Sequence, residues 1–381
     1  MTALRLEPGM PLGDVLDTVC TEVRKQSAWL EVTGDFPVEV ARIVSASGLT
    51  ALCLPEALGG RGSGLQDLVT AVEQLAAVDA ATAWCTFIMG TAPWLLCRAA
   101  PELVSEVYPG PNSRIAGVLA PTGILSRRDG GFTLTGRWTF GSAVNACDWV
   151  AVHAIFAEEG EHRSAFVLVP TADVSYREPW DGMGLRASGS GAFGITDLPV
   201  PRHRLVQSLS SPPVWPDPVF RVPFRATFAA CAAVLLGVAT EALAVFTDYA
   251  PQKRGTFSSG TLSQQPYVHS LVAECWGDLH AARALLHSTV GELESACAAG
   301  APTPRQQAQL RIAMNTVRSN CLSVVDRIHQ AAGGGAALDS SRFAQLLRDA
   351  HTVSQHHMFS GAITALAGSV LLGETAPEGH L

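Results

Sequence analysis

The chain has 381 residues, too many for one simple core and suited to two or three packed domains. Hydrophobic residues make up 48% of it and charged residues only 16%, so it buries more surface than an average monomer, part of it against sister subunits. A formal net charge of -8 provides no basic stripe able to release phosphate counterions, which argues against nucleic acid as a partner.

From residue 13 to residue 106 the pattern is helical. Val15, Val19 and Val23 recur at four-residue spacing, and a second apolar stripe runs over residues 65–75, with Asp67 and Glu73 expected to face away. Between them, Leu54-Pro55-Glu56 and Gly59-Gly60-Arg61-Gly62 mark a loop for a glycine-permissive backbone. From Arg114 the texture changes to short alternating runs: Phe132-Thr133-Leu134-Thr135, residues 149–153 and residues 165–169. Asp129-Gly130-Gly131 and Glu159-Gly160 separate them as turns, so this stretch is expected to be an antiparallel β-domain, closed by a Ser- and Pro-rich loop over residues 208–218.

After Phe220 the helical period returns and persists almost to Leu372, broken at Ala299-Gly300-Ala301-Pro302 and at Gly333-Gly334-Gly335. This predicts a four-helix bundle. Residues 228–246 are apolar enough to suggest a membrane span, but they contain Glu241 and alternate Ala with larger residues, so a buried bundle helix is the expectation and no membrane is invoked. The nine cysteines form no CxxC pair and lie in apolar stretches. They predict buried thiols in a reducing cytoplasm, without a zinc site or disulfides. Residues 1–20 lack a basic start followed by an apolar block, so no secretory leader is expected.

The order helices, sheet, helices, together with four segments, resembles the acyl-CoA dehydrogenases over roughly residues 15 to 373. Leu54-Pro55-Glu56-Ala57-Leu58-Gly59-Gly60 resembles a loop between early helices, and residues 136–149 the flavin-contacting strand and loop. Met183-Gly184-Leu185-Arg186 through Val200-Pro201 resembles the last hairpin, and Arg348-Asp349 the opening of the final long helix. The resemblance implies an α+β fold of three parts: an N-terminal helical domain (1–112), a central β-barrel or sandwich (113–218) and a C-terminal four-helix bundle (219–381). It also implies a homotetramer built through the bundles.

Within that family the chain looks like the monooxygenase branch. In the loop Trp138-Thr139-Phe140-Gly141-Ser142-Ala143-Val144-Asn145, Phe140 stands where dehydrogenases carry a Trp against the isoalloxazine, and Ser142 where they carry a Thr at flavin N5. Phenol, dibenzothiophene and aromatic polyketide oxygenases show F-x-S there. A hydroxyl both donates and accepts, which suits reduced N5–H and then an oxygen at the adjacent C4a. The Glu that removes an α-proton in dehydrogenases falls, by count, at His356 or His357, and residues 224–237 carry no acid, so thioester dehydrogenation lacks its base. The oxygenases keep R-D-x-H-x-x-x-x-H, which places the working imidazole at His356 and a supporting one at His351. Such a His, with a pKa near 7, suits proton exchange with a substrate hydroxyl. His351 and His356, five residues apart, splay on a helix, and no metal site is expected.

For the cofactor, the resemblance points to Lys253 and Arg254, and to the turn Gln330-Ala331-Ala332-Gly333-Gly334-Gly335, where backbone N–H groups can meet a phosphate. Ala120-Pro121-Thr122-Gly123 departs from the family signature for permanently held FAD, which fits borrowed reduced flavin. Trp84, Asn145, Arg225 and His351 are the expected substrate contacts. The expectation is therefore a flavin-dependent monooxygenase. It takes FMNH2 or FADH2 from a separate NAD(P)H:flavin reductase, uses O2 through a C4a-hydroperoxide, and hydroxylates a small aromatic or polyketide substrate. FMN versus FAD, and C- versus N-oxygenation, stay open. An acyl-CoA or acyl-carrier-protein dehydrogenase with a relocated base, and a non-catalytic scaffold subunit, are the rival readings.

Overall fold

Val15, Leu16, Val19 and Val23 fall on one side of helix α1 (Leu12–Arg24) and are all buried, the consequence of a 3.6-residue period. The helices that follow are α2 (Ser27–Leu30), α3 (Val38–Ala46), α4 (Leu65–Val78), α5 (Ala80–Gly90), α6 (Ala92–Leu96) and α7 (Pro101–Val107). The computed structural model describes residues 9–158, 161–207, 209, 211–254 and 260–377, so the expected Glu159-Gly160 turn lies outside the described residues. The chain divides into two compact units. One comprises Met1–Leu68, Trp84–Gly182 and Arg186–Phe224; the other comprises Val69–Ala83, Met183–Leu185 and Arg225–Leu381.

In the first unit the strands are β1 (Ile115–Arg128), β2 (Gly131–Trp138), β3 (Trp149–Glu158), β4 (Glu161–Pro170), β5 (Tyr176–Arg177), β6 (Phe193–Pro201) and β7 (Leu205–Val206). They form one seven-stranded sheet in the order β5-β6-β2-β1-β3-β4-β7. The expected Asp129-Gly130 turn joins β1 to β2, with Arg128 paired to Gly131 and Gly130 at φ +79°. The sheet is mixed, which corrects the expectation of a purely antiparallel domain: β1 and β3 run parallel, starting at Ile115 opposite Trp149. The chain leaves β2, crosses the end of β1 through residues 139–148, and resumes on the far side of that strand. Leu95, Leu96, Leu103 and Val107 from α6 and α7 pack on Ile115, Phe166 and Leu168 of the sheet.

The second unit is helical: α8 (Ala229–Tyr249), α9 (Pro266–Ala299), α10 (Pro304–Ala332), α11 (Arg342–Ser354) and α12 (Gly361–Leu371). Among the described residues after Arg225 these five helices make up the expected bundle, and α10 packs against the other four. It starts with Thr303 and Gln306 in a reciprocal capping box and Pro304 in the first turn, which satisfies amides that a helix start leaves without partners. By length and composition residues 224–249 are apolar enough to cross a membrane, yet 78% of their 18-residue apolar stretch is buried in the protein. An apolar surface on every side suits the interior of a bundle. At Gly237 an added Cβ would stand 2.3 Å from Glu73 O, so only glycine lets α8 approach α4 there.

Two sequence expectations change in this unit. Glu73 does not face solvent: its carboxylate accepts from His287 Nε2 at 2.8 Å and pairs with Arg283, with its side chain 13% exposed. Arg348 and Asp349 do not open a helix but sit mid-way along α11, and their segment meets Met183–Leu185. Asp349 Oδ1 accepts from Leu185 N at 2.6 Å, and a Cβ on Gly184 would stand 2.4 Å from Arg348 O. Leu185 holds φ +51°, in the left-handed region, so the buried Asp349 carboxylate stabilises a strained turn. Two of the four segments that carry the family resemblance are thus one structural joint.

Candidate active site

The loop after β2 is fixed by Trp138, which is fully buried and donates Nε1–H to His153 O at 3.0 Å. Its ring fills the space over Gly123 and Gly136, where a Cβ would approach it to 2.3 and 2.6 Å, and it stacks on Phe193. Beyond this anchor the backbone turns left-handed twice, at Phe140 (φ 61°) and Ala143 (φ 62°). Non-glycine residues adopt this conformation at a cost, and it concentrates at functional loops. Phe140 is 67% exposed although it is aromatic, and the Trp180 ring meets it in an edge-to-face arrangement at 6.1 Å between centroids.

Ser142, by contrast, is buried. Its Oγ accepts the indole N–H of Trp84 at 3.0 Å and lies 2.7 Å from Ser190 Oγ, which lies 2.6 Å from Ser188 Oγ. Trp84 and Ser142, chosen separately from the sequence, are therefore in direct contact. The indole can only donate. The Oγ–Oγ contacts allow either direction: with the chain running Ser188 to Ser190 to Ser142, both acceptor positions on Ser142 are filled and its O–H donates elsewhere, and in the opposite direction Ser142 donates to Ser190. Asn145 is engaged differently: its amide donates to Phe36 O at 2.6 Å and accepts from Phe36 N at 3.3 Å, so it clamps the loop to the segment before α3.

In the helical unit the histidines expected on a helix lie past its end. α11 stops at Ser354, His356 is extended (φ -61°, ψ 137°), and His357 opens a short 3-10 turn, His357–Phe359. Spacing along a helix therefore does not govern His356. Its ring stacks on Phe228 (5.4 Å between centroids, 16° between planes) and sits 4.5 Å from the ring of His357. Burial, followed by the neighbouring His357, pushes the His356 pKa down to about 3, so the expected value near 7 does not hold. Nδ1 accepts a long hydrogen bond, 3.5 Å, from Met358 N, which puts the proton of the neutral ring on Nε2. His357 is also held below the ordinary histidine range, by burial and then by Arg225 and Arg311.

These two rings line an open cleft of about 610 Å³ together with Asn315, Arg318, Ser360 and Thr364, and among the described residues no Asp or Glu lines it. His351 stands on α11 with Nε2 2.8 Å from Asp326 Oδ1, so an acid partner orients it. Arg225 occupies the 3-10 turn before α8. Arg254 is exposed and bridges to Thr261, while Lys253 stands over the Tyr249 ring. The Tyr249 hydroxyl donates to Ala332 O, at the end of α10, where Gly333 turns the backbone left-handed. Gln330 is exposed, and a Cβ at Gly333, Gly334 or Gly335 would meet nothing within 4 Å. This chain's own packing therefore leaves room beside that turn.

Sequence reading missed Ser188, Ser190 and Arg311. The first two had a signal: Ser188-Gly189-Ser190-Gly191 interleaves hydroxyls with glycines, and Gly189 takes φ +59° while a Cβ at Gly191 would overlap Glu178 O. Arg311 had one too, a charged residue between Ala308, Leu310 and Met314 on the buried arc of α10.

Two family models match, the N-terminal domain of acyl-CoA dehydrogenase over residues 12–105 and its C-terminal domain over residues 229–361. Among curated proteins, the oxygenase subunit HsaA of a flavin-dependent monooxygenase from Mycobacterium tuberculosis is 24% identical over 93% of each chain. The oxygenase component of an FADH(2)-dependent resorcinol hydroxylase from Rhizobium sp. is 27% identical, covering 90% of this chain and 91% of that protein. The crystal structure of 3-HSA hydroxylase from Rhodococcus sp. RHA1 superposes with a TM-score of 0.90 at 21% identity, over 98% of this chain and all of that one. Fold and matched domains agree: the chain belongs to the acyl-CoA dehydrogenase superfamily, and the curated relatives named here are oxygenase components of monooxygenases.

Proposed function

We propose that this protein is the oxygenase component of a two-component flavin-dependent monooxygenase, which receives reduced flavin from a separate reductase and hydroxylates a small aromatic substrate with O2. The observation that carries this reading is the cleft wall, which among the described residues offers imidazoles, hydroxyls, two amides and the Arg318 guanidinium, without a carboxylate to remove a carbon-bound proton. Reduced flavin, when bound, supplies the two electrons that let one atom of O2 enter the substrate while the other leaves as water. The residues present suit that group. In the first unit Phe140 offers an uncovered aromatic face and Ser142 a buried hydroxyl; in the second, taken by itself, the open turn at Gly333 and Gly334, with Gln330 and the nearby Lys253 and Arg254, offers a place for phosphate.

The remaining roles belong to the chain. Ser142 donates a hydrogen bond to the flavin edge or to the oxygen beside it, polarised by Trp84 and Ser190. His356, neutral at pH 7, donates from Nε2 to a substrate oxygen, and Phe228 holds its ring in plane. Its low pKa makes it a donor and not a strong base. In the helical unit Arg225 borders the substrate and His351 supports the segment from α11; in the first unit Trp84 holds the Ser142 hydroxyl and Asn145 positions the loop. We further propose a cytoplasmic homotetramer. Its nine cysteines are free thiols, and α9 exposes Tyr267, Trp276 and Leu285 at 60%, 55% and 38%, apolar area that suits a subunit interface.

The test is anaerobic. Protein loaded with oxidised flavin is mixed with acyl-CoA thioesters of several chain lengths, and the flavin spectrum is followed. The reading predicts no bleaching by any thioester; bleaching by one of them would move the protein to the dehydrogenases.

A further inference from the structure

Arg311 is 3% exposed, inside α10, and among the described residues its guanidinium donates only from Nη1 to Met314 Sδ, at 3.4 Å. A guanidinium carries five N–H donors, and a thioether is a weak acceptor. Arg225 acts on Arg311, and both arginines act on His357. Burial and then Arg225 bring the Arg311 pKa down to about 9, so the group is still a cation at pH 7. Among the described residues neither arginine has a carboxylate partner. Buried charges are ordinarily paired, and two guanidiniums beside an imidazole make a place whose charge suits an anion.

We propose that Arg311, Arg225 and His357 bind the carboxylate of an aromatic acid, so that the substrate of this oxygenase is anionic. This rests on the oxygenase reading. A carboxylate matches the planar fork of arginine in bidentate geometry. The place suits a substrate. Arg225 lies three residues before Phe228, whose ring carries His356, and His357 lines the same cleft as His356. A carboxylate held by the arginines thus keeps the aromatic ring of the same molecule beside the His356 imidazole. Flavin phosphate is the other source of an oxyanion, and it has its own place at the Gly333 turn with Lys253.

Binding is measured on the intact protein, without flavin or turnover, by titrating one- and two-ring aromatic carboxylates and their matched primary amides. FMN and riboflavin are titrated in parallel. The expected result is that at least one carboxylate outbinds its amide by about tenfold or more. Arg311→Met removes that preference and leaves the FMN-to-riboflavin ratio unchanged. Arg311→Lys and Arg225→Gln, which disturb the core less, reduce the preference part of the way. Equal binding of carboxylates and amides by the unaltered protein overturns the proposal. So does a preference that survives Arg311→Met, or an Arg311 effect confined to FMN over riboflavin. Because no oxygenation is read, failure of the oxygenase reading leaves this result standing, and its failure leaves hydroxylation of neutral phenols untouched.

Discussion

Replacing Ser142 by alanine removes the acceptor of the Trp84 indole N–H in a place where Trp84 is 8% and Ser142 4% exposed. Water cannot readily take over, so the orphaned donor costs about 1–3 kcal/mol, whereas Ser190 keeps Ser188 as a partner. At about 2.1 cal/mol/K of unfolding entropy per residue, a chain of 381 residues changes by roughly 0.8 kcal/mol per degree, and a loss of about 2 kcal/mol lowers Tm by about 2–3 °C. In a Trp84→Phe background no indole N–H remains to be orphaned, and the same substitution costs about 1 kcal/mol less. Chemical denaturation of the four proteins in this double-mutant cycle measures the coupling. If the two substitutions add within about 0.3–0.5 kcal/mol, the hydroxyl chain is not organised as described. The functional consequence is read separately: Ser142→Ala lowers hydroxylation about a hundredfold while reduced flavin is still oxidised, with hydrogen peroxide as product, and Ser142→Thr restores most of the coupling.

The remaining predictions concern the helical unit. The folded pKa of His356, about 3, lies below the ordinary unfolded value near 6.5. Between these values the unfolded chain binds a proton that the folded chain does not, so stability falls as pH drops from about 6.5 towards 3. His356→Gln should flatten the fall of Tm between pH 6.5 and 4, and parallel profiles for the two proteins would contradict the assignment. Asp349→Ala should cost about 1–3 kcal/mol by orphaning the Leu185 amide, with Asp349→Asn milder because an acceptor oxygen remains. Gly184→Ala should destabilise through its overlap with Arg348 O, and thermal melts order the three. Trp276→Glu should lower the mass of the proposed homotetramer in light scattering while circular dichroism stays unchanged; an unchanged mass would remove α9 from the proposed interface.

Local periodicity made the helices legible, and paired turn residues such as Asp129-Gly130 marked the hairpin. The burial of α8 was legible because its apolar residues cover every face. What escaped was non-local. The parallel pairing of β1 with β3 depends on where residues 139–148 cross, which no alternation pattern encodes. The end of α11 at Ser354 escaped because Val353-Ser354-Gln355 contains neither glycine nor proline; the break shows only in the extended backbone of His356, with the ring stacked on Phe228. The joint between Leu185 and Asp349 spans 164 residues, so both motifs were visible but their contact was not. At the site, Trp84 and Ser142 were named separately and prove to be bonded. Asn145 was named for a ligand, yet its amide is committed to Phe36. The near-neutral pKa expected of His356 failed because sequence position carries no measure of desolvation.

The central claim is tested most directly with isotopic oxygen. The purified protein, supplied with chemically reduced FMN or FAD and a panel of neutral and carboxylated phenols under 18O2, should return a hydroxylated product carrying one 18O atom, with the yield falling sharply in Ser142→Ala. Product whose new oxygen comes from water, or hydrogen peroxide alone across the whole panel, would contradict the account.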